Sequence, residues 1–138
     1  PKFKQYCKGK EYSKNIVITG YRKHEEIPYY LKSADVLVIP NSAKEHISKY
    51  NTSPLKLFEY MASGNPIVVS DLPSMREVLN EGNAFFCVAD DSTSLGNTIL
   101  NVLETQTQSV VKAKQALVDV QQYTWEIRAK TILKFIHD

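Results

Sequence analysis

The residues of this chain that are best placed to do chemistry lie in the stretch NTSPLKLFEYMASGNPIVVS, residues 51–70. Ser53 can cap the start of a helix there, and Pro54 suits the first helical position, where a missing N–H costs nothing. Gly64 predicts the end of the helix, because a left-handed residue is needed at that point. The free N–H groups and the dipole at such a helix start favour a bound anion. The stretch therefore predicts a phosphate-binding helix N-terminus.

The first turn of this helix carries Leu55 and Lys56, whose free N–H groups would point towards the anion. A cation is electrostatically unfavourable at a helix start unless an anion lies nearby. The position of Lys56 therefore favours a phosphate-binding role over that of a plain surface lysine.

Glu59 is the one acid on the helix, one turn beyond Leu55 and about 6 Å further along the axis. That distance is about the spacing between a diphosphate and the ribose hydroxyls of the same nucleotide. A carboxylate can accept hydrogen bonds from the 2′- and 3′-hydroxyls together. The residues alone leave two alternatives open, a solvated surface acid or an ion-pair partner of Lys56 or Arg76.

Short apolar runs alternate with helical patterns along the chain, which is typical of a parallel α/β sheet. The predicted strands cover residues 16–19, 35–39, 67–70 and 84–88, with a helix over residues 25–33 between the first two. The third run is apolar enough for a strand that is buried on both faces. Helices that follow such strands start at the carboxyl edge of the sheet, where α/β proteins bind phosphates. We predict a three-layer, Rossmann-like α/β sandwich.

Further helices follow the predicted third and fourth strands. Ser74 and Glu77 form a capping box that predicts a helix running to Glu81. Asp91 predicts the cap of the next helix, a further amphipathic helix covers residues 110–120, and Thr124 predicts the cap of the last one. The expected buried face of the last helix comprises Trp125, Ile127, Ile132, Leu133 and Ile136.

The composition excludes several classes of protein. The chain has 138 residues and a formal net charge of +2, which is too small to indicate a nucleic-acid partner. Cys7 and Cys87 lie far apart and are read as free thiols. His24, His46 and His137 have no partners at ligand spacing, so no metal site is expected. No apolar run is long enough to cross a membrane.

The segment SPLKLFEYMASGNPIVVSDLPSMREVL resembles the nucleotide-sugar-binding signature of retaining group 1 (family 4) glycosyltransferases of GT-B architecture. The similarity continues upstream in NIVITGYRKHEEIPYYLKSADVLVIPNS and downstream in YTWEIRAKTILKFI. It covers residues 15–136, nearly the whole chain, and it is most specific at residues 53–59.

The resemblance implies that residues 1–138 form a single domain, the C-terminal donor-binding lobe of a glycosyltransferase. Such an enzyme transfers a sugar from a nucleotide-diphosphate sugar to a glycan or lipid-linked acceptor, typically in bacterial cell-envelope polysaccharide synthesis. The acceptor comes from an N-terminal lobe, and the family needs no essential metal or other cofactor. The implied location is cytoplasmic, with the full-length protein peripheral to the inner face of the plasma membrane. Without the acceptor lobe and the basic phosphate clamp, the chain is expected to be an inactive fragment.

The resemblance also assigns roles to individual residues. It favours ribose binding by Glu59 and implies that Tyr21 or Arg22 stacks on the nucleobase. Thr52 and Ser74 are implied to line the donor-sugar pocket.

Asn51 departs from the family pattern of two glutamates separated by seven residues, since it stands where the first glutamate is expected. In the family that acid is associated with the donor sugar and the reacting centre. An amide can hydrogen-bond a sugar hydroxyl but cannot stabilise positive charge as a carboxylate does. The alternative is a turn-forming Asn. Two other functions stay open. One is another GT-B enzyme, such as a nucleotide-sugar epimerase or a glycan phosphorylase. The other, which Asn51 keeps open, is a non-catalytic nucleotide-binding or scaffold domain.

Overall fold

The computed structural model describes residues 2–44, 46–51 and 55–137 and contains a parallel sheet of three strands covered by helices. The strands are β1 (Leu37–Ile39), β2 (Ile67–Ser70) and β3 (Phe85–Cys87), and β2 lies between the other two. The helices are α1 (Lys2–Cys7), α2 (Ile27–Lys32), α3 (Leu55–Ser63), α4 (Pro73–Arg76), α5 (Ser92–Glu104), α6 (Gln106–Asp119) and α7 (Trp125–His137). The predicted α/β class is confirmed.

Strand β2 is buried on both faces, as its apolar sequence predicts. Ile67 and Val69 belong to an apolar cluster on one face, to which α3, α4 and α6 contribute. Val68 packs on the other face with Phe85 of β3 and Val102 of α5. The two clusters make this a three-layer sandwich.

Helix α3 is fixed to the sheet by Leu57 and Met61, which are four residues apart and therefore share a face. Both side chains are essentially inaccessible to solvent, and Phe58 packs against the same cluster. Gly64 follows the helix with a φ of 73°, which confirms the predicted left-handed stop.

The strand predicted over residues 16–19 is absent, and this prediction was wrong. Val17 is 84% exposed and Ile18 is 50% exposed, and the segment is irregular. Its sequence is suited to a strand, but a strand also requires a neighbour with which to hydrogen-bond. In the described part of the chain, β1 pairs only with β2, and nothing pairs with residues 16–19.

The capping box predicted at Ser74 was also wrong. Helix α4 covers Pro73–Arg76, so its N-cap Leu72 lies two residues before the predicted cap and its end lies five residues before the predicted end at Glu81. Ser74 is buried, and its hydroxyl donates 2.9 Å to the main-chain oxygen of Ser48. The hydroxyl therefore serves a long-range contact that local sequence spacing could not reveal.

The predicted caps of α5 and α7 are confirmed. The Asp91 carboxylate accepts from the N–H groups of Thr93 and Ser94, and the Thr124 hydroxyl accepts from the N–H of Ile127.

The buried face predicted for α7 was wrong. Trp125 is 76% exposed and Ile136 is 67% exposed, and no described side chain of α7 is buried. The helix packs mainly against the turn Val120–Tyr123 that precedes it, so its apolar residues find no core. Amphipathic spacing therefore predicted the helix correctly, but it could not show whether another element packs against its apolar face.

We expect Met61→Ala to lower the free energy of unfolding by about 2–5 kcal/mol, because truncation leaves a cavity in the core beneath β2. The exposed Val111 of α6 provides the control, and Val111→Ala should change stability by less than about 0.5 kcal/mol. Urea denaturation measures both. Equal unfolding free energies for the two variants would show that Met61 is not a core residue.

Candidate functional site

The site predicted from the sequence lies where α3 begins. Thr52, Ser53 and Pro54 lie outside the described residues, so the predicted Ser53 cap stays a prediction. Leu55 and Lys56 form the first described turn of α3, and both side chains are exposed. The structure thus leaves the side chains of this turn accessible to a ligand.

Glu59 is half-buried and lines a groove of about 260 Å³ between α2 and α3. Ile27, Pro28 and Leu31 contribute from α2, so most of the wall is apolar. The side-chain amide of Asn65, just after α3, donates 2.5 Å to the main-chain oxygen of Leu31 on α2 and so joins the two elements. Glu59 places a carboxylate at the wall of a small, mostly apolar recess.

The alternative of an ion-pair partner for Glu59 finds no support in the described residues. Arg76 is bound by Asp71 and Glu81, and no ion pair joins Glu59 to Lys56. The charge of Glu59 acts on its neighbour: burial, and then this charge, raise the pKa of the Tyr60 hydroxyl. The carboxylate is therefore available for a ligand.

Tyr21 and Arg22 follow Gly20, whose φ of 70° turns the chain towards α2. Tyr21 is 91% exposed. The Arg22 guanidinium lies 5.6 Å from the ring centroid of Tyr30 on α2, and its Nε is buried without a hydrogen-bond partner among the described atoms. Since the nearby His24 lines the same groove as Glu59, the structure brings this segment towards the predicted nucleotide site.

The segment between β1 and α3 is anchored at two points. The Asp90 carboxylate accepts 2.9 Å from the N–H of Ala43, and the Ser74 hydroxyl donates to Ser48 within the π-helical turn Ile47–Asn51. The backbone of Asn51 ends that turn, while its side chain lies outside what the structure describes. Ser74 and the turn that ends at Asn51 are thus neighbours, and the donor-sugar pocket expected around them stays a prediction.

Asp90 is a functional candidate that the sequence analysis missed. The pKa of its carboxyl lies below the ordinary range because the Ser42 hydroxyl and the Ala43 N–H donate to it. The doublet Asp90-Asp91 after β3 was the available signal, but only Asp91 can be recognised from spacing as a helix cap.

The loop after β2 is held by a charged cluster centred on Arg76. Its guanidinium donates to both carboxylate oxygens of Asp71, at 2.7 and 2.9 Å, and also pairs with Glu81. The guanidinium carbon lies 3.5 Å from the ring centroid of Phe86. The hydrogen bonds from Arg76 lower the pKa of Asp71 and of Glu81.

The described residues contain neither a metal-binding cluster nor a membrane-spanning helix. No group of three His, Cys, Asp or Glu side chains there could hold a metal ion. No described helix is both long enough and apolar enough to pass through a bilayer.

The chain belongs to the family described as Glycosyl transferases group 1, whose sequence model matches residues 1–105. The fold agrees, since the three-stranded parallel sheet with flanking helices is shared with glycosyltransferases of GT-B type.

Curated relatives are similar over part of their length. The chain is 39% identical over 62 residues to TuaH of Bacillus subtilis strain 168, which is named for teichuronic acid biosynthesis, covering 44% of this chain and 15% of that protein. It is 30% identical over 105 residues to the phosphatidyl-myo-inositol mannosyltransferase of Mycobacterium leprae strain TN, covering 75% of this chain and 26% of that enzyme. It is 28% identical over 109 residues to O-antigen chain mannosyltransferase B of Escherichia coli, covering 78% of this chain and 26% of that enzyme. The chain thus spans about a quarter or less of these relatives.

Solved structures share the fold. Sucrose-phosphate synthase from Thermosynechococcus elongatus superposes with a TM-score of 0.76 at 24% identity, over 90% of this chain and 30% of that one. HepE of Anabaena in complex with UDP superposes with a TM-score of 0.74 at 20% identity, over 86% of this chain and 31% of that one.

We expect Asp71→Asn to lower the melting temperature near neutral pH and to lose this effect in acid. The folded-state pKa of Asp71 is depressed below its ordinary value of 3.8, so its pairing with Arg76 stabilises the fold above that value. The stabilisation disappears as the pH falls through the lower, folded-state pKa. Because the carboxylate is about half exposed, the effect should be small.

Melting curves of the two proteins between acid and neutral pH test this expectation. Glu77→Gln, which removes the charge of an exposed acid at the C-terminal end of α4, is the control. A melting-temperature difference between Asp71→Asn and wild type that stayed constant throughout the acid range would contradict the assignment.

Proposed function

We propose that this chain is the C-terminal, donor-binding lobe of a retaining group 1 (family 4) glycosyltransferase that uses a nucleotide-diphosphate sugar. The observation that carries the proposal is the placement of Glu59 on a recess between α2 and α3, one helical turn beyond the accessible first turn of α3. An anion-binding helix start followed at this spacing by an unpaired carboxylate suits a nucleoside diphosphate.

The comparisons support the same class of substrate. The family is that of group 1 glycosyl transferases, and two of the relatives are named as mannosyltransferases. HepE, which shares the fold, was solved with UDP bound. In this proposal the full-length enzyme extends a cell-envelope glycan or lipid-linked acceptor, which binds to an N-terminal lobe.

Each site residue has a proposed role. The N–H groups of Leu55 and Lys56, with Ser53 as the cap, bind the diphosphate, and the Lys56 ammonium adds charge. Glu59 accepts hydrogen bonds from the ribose hydroxyls.

The base and the donor sugar lie on either side of this diphosphate site. Tyr21 or Arg22 stacks on the base, and the burial of the Arg22 Nε next to Tyr30 supports Tyr21 as the more accessible of the two. Thr52 and Ser74 line the donor-sugar pocket. Ser74 donates its proton to Ser48, so it has only acceptor capacity left for a sugar hydroxyl.

The reaction needs no resident metal in this proposal, because helix-terminal N–H groups and basic side chains neutralise the leaving diphosphate. The enzyme is proposed to work in the cytoplasm, at the inner face of the plasma membrane. This chain without an acceptor lobe is proposed to bind a donor but not to transfer its sugar.

Asn51 supports a second candidate, a nucleotide-binding domain without transferase activity. The amide at position 51 cannot stabilise positive charge at the reacting carbon as a carboxylate does. Asn51→Glu in the full-length protein distinguishes the two functions. A large gain in turnover would favour the second candidate, and unchanged or reduced turnover would favour an active enzyme in which Asn51 is tolerated.

We expect Glu59→Gln to weaken nucleoside diphosphate binding to the full-length protein by at least tenfold. The change keeps the shape of the side chain but removes charge assistance from two hydrogen bonds, each worth roughly 1.5–3 kcal/mol when an ion takes part. Isothermal titration with UDP and GDP, and with their 2′,3′-dideoxy analogues, measures the effect. The dideoxy analogues lack the hydroxyls, so their affinities should change little.

Glu77→Gln serves as the matched control, because Glu77 is an exposed acid away from the groove. If Glu59→Gln weakened natural and dideoxy nucleotides equally, Glu59 would not be the ribose-binding residue.

A further inference from the structure

Asp90 is the one non-glycine residue with a positive φ in the described ranges, at 61°. A side chain in this left-handed region is unfavourable, although Asp tolerates it better than most residues. Glycine would occupy the position without that cost. The presence of Asp therefore indicates that the carboxylate has a use that offsets the backbone strain.

The carboxylate is used to hold a segment distant in sequence. Its Oδ2 accepts 2.9 Å from the N–H of Ala43, forty-seven positions earlier in the chain, and the nearby Ser42 hydroxyl helps to lower the pKa of the carboxyl. The Ser42 Oγ in turn accepts 3.2 Å from the N–H of Lys44, whose charge also favours the ionised carboxylate. A single side chain thus organises the turn that follows β1.

This turn leads directly into the candidate site. The chain runs from Ala43 to the π-helical turn Ile47–Asn51 and then to the start of α3. The second anchor, from Ser74 to Ser48, reaches the same segment from α4, the helix that follows β2. The segment is therefore held from the carboxyl ends of both other strands, β2 and β3, where the ligand site of a parallel sheet is expected.

We propose that Asp90 is a positioning residue that fixes residues 42–44, and with them the described turn Ile47–Asn51, in a ligand-ready conformation. The proposal rests on the nucleotide-sugar-binding function proposed above. Asp90 need not touch the ligand. It restricts the segment before binding, so that less conformational entropy is lost when the donor arrives.

Three substitutions distinguish the effect of the Asp90 carboxylate from the effect of its left-handed backbone conformation. Asp90→Gly removes the acceptor but also relieves the left-handed strain. Asp90→Asn keeps an acceptor oxygen on a residue that tolerates the same backbone conformation. Asp90→Ala removes the acceptor and keeps the strain, so it should be the least stable of the three.

The full-length protein provides two readouts, amide hydrogen exchange at Ala43 and affinity for UDP. In Asp90→Gly, exchange at Ala43 should accelerate and UDP affinity should fall by about tenfold, while the melting temperature stays equal to that of wild type or rises. In Asp90→Asn, both readouts should stay within about threefold of wild type. A purely structural role for Asp90 predicts instead that affinity follows the melting temperature.

Each of the remaining outcomes would overturn a specific part of the proposal. Unchanged exchange at Ala43 in Asp90→Gly would overturn the anchoring, and accelerated exchange with unchanged UDP affinity would overturn the positioning role. If wild type bound neither UDP nor GDP, the proposed function would fail, and with it the positioning role. The exchange data would then still decide whether Asp90 anchors the segment.

Discussion

Strand β2 pairs in parallel with β1 on one side and with β3 on the other, so the chain leaves all three strands side by side at one edge of the sheet. Ile67, Val68 and Val69 are each at most 1% exposed, because the two neighbouring strands and the helices on both faces cover them. The anchors from Asp90 and Ser74 depend on this arrangement, since each joins a residue that follows β2 or β3 to the segment that follows β1.

The features that depend on local sequence were predictable. The apolar run of β2, the stop at Gly64 and the cap at Asp91 each follow from residues a few positions apart, and the structure contains all three. The strand over residues 16–19 and the buried face of α7 were not predictable, because each depends on a partner surface distant in sequence. Both segments have the apolar spacing of their predicted elements, but among the described residues no neighbouring element covers their apolar side chains.

At the candidate site, too, the features set by local sequence were predictable and those set by distant contacts were not. Glu59 stood out from the sequence because it is a lone acid at a set distance from a helix start, and the structure adds the recess between α2 and α3. Asp90 and the true role of the Ser74 hydroxyl could not be found in this way, since their hydrogen bonds cross 47 and 26 positions of the chain. Positive φ at Asp90 is visible only in three dimensions. Sequence identifies the groups that face the ligand more readily than those that hold them in place.

The central claim is that one nucleotide spans the first turn of α3 and Glu59. A crystal structure of the full-length protein with UDP, the nucleotide present in the HepE structure, tests it most directly. We expect diphosphate oxygens within about 3 Å of the N–H groups of Leu55 and Lys56, and ribose hydroxyls at the same distance from the Glu59 carboxylate. UDP bound away from α3, or bound there with its ribose turned away from Glu59, would contradict it.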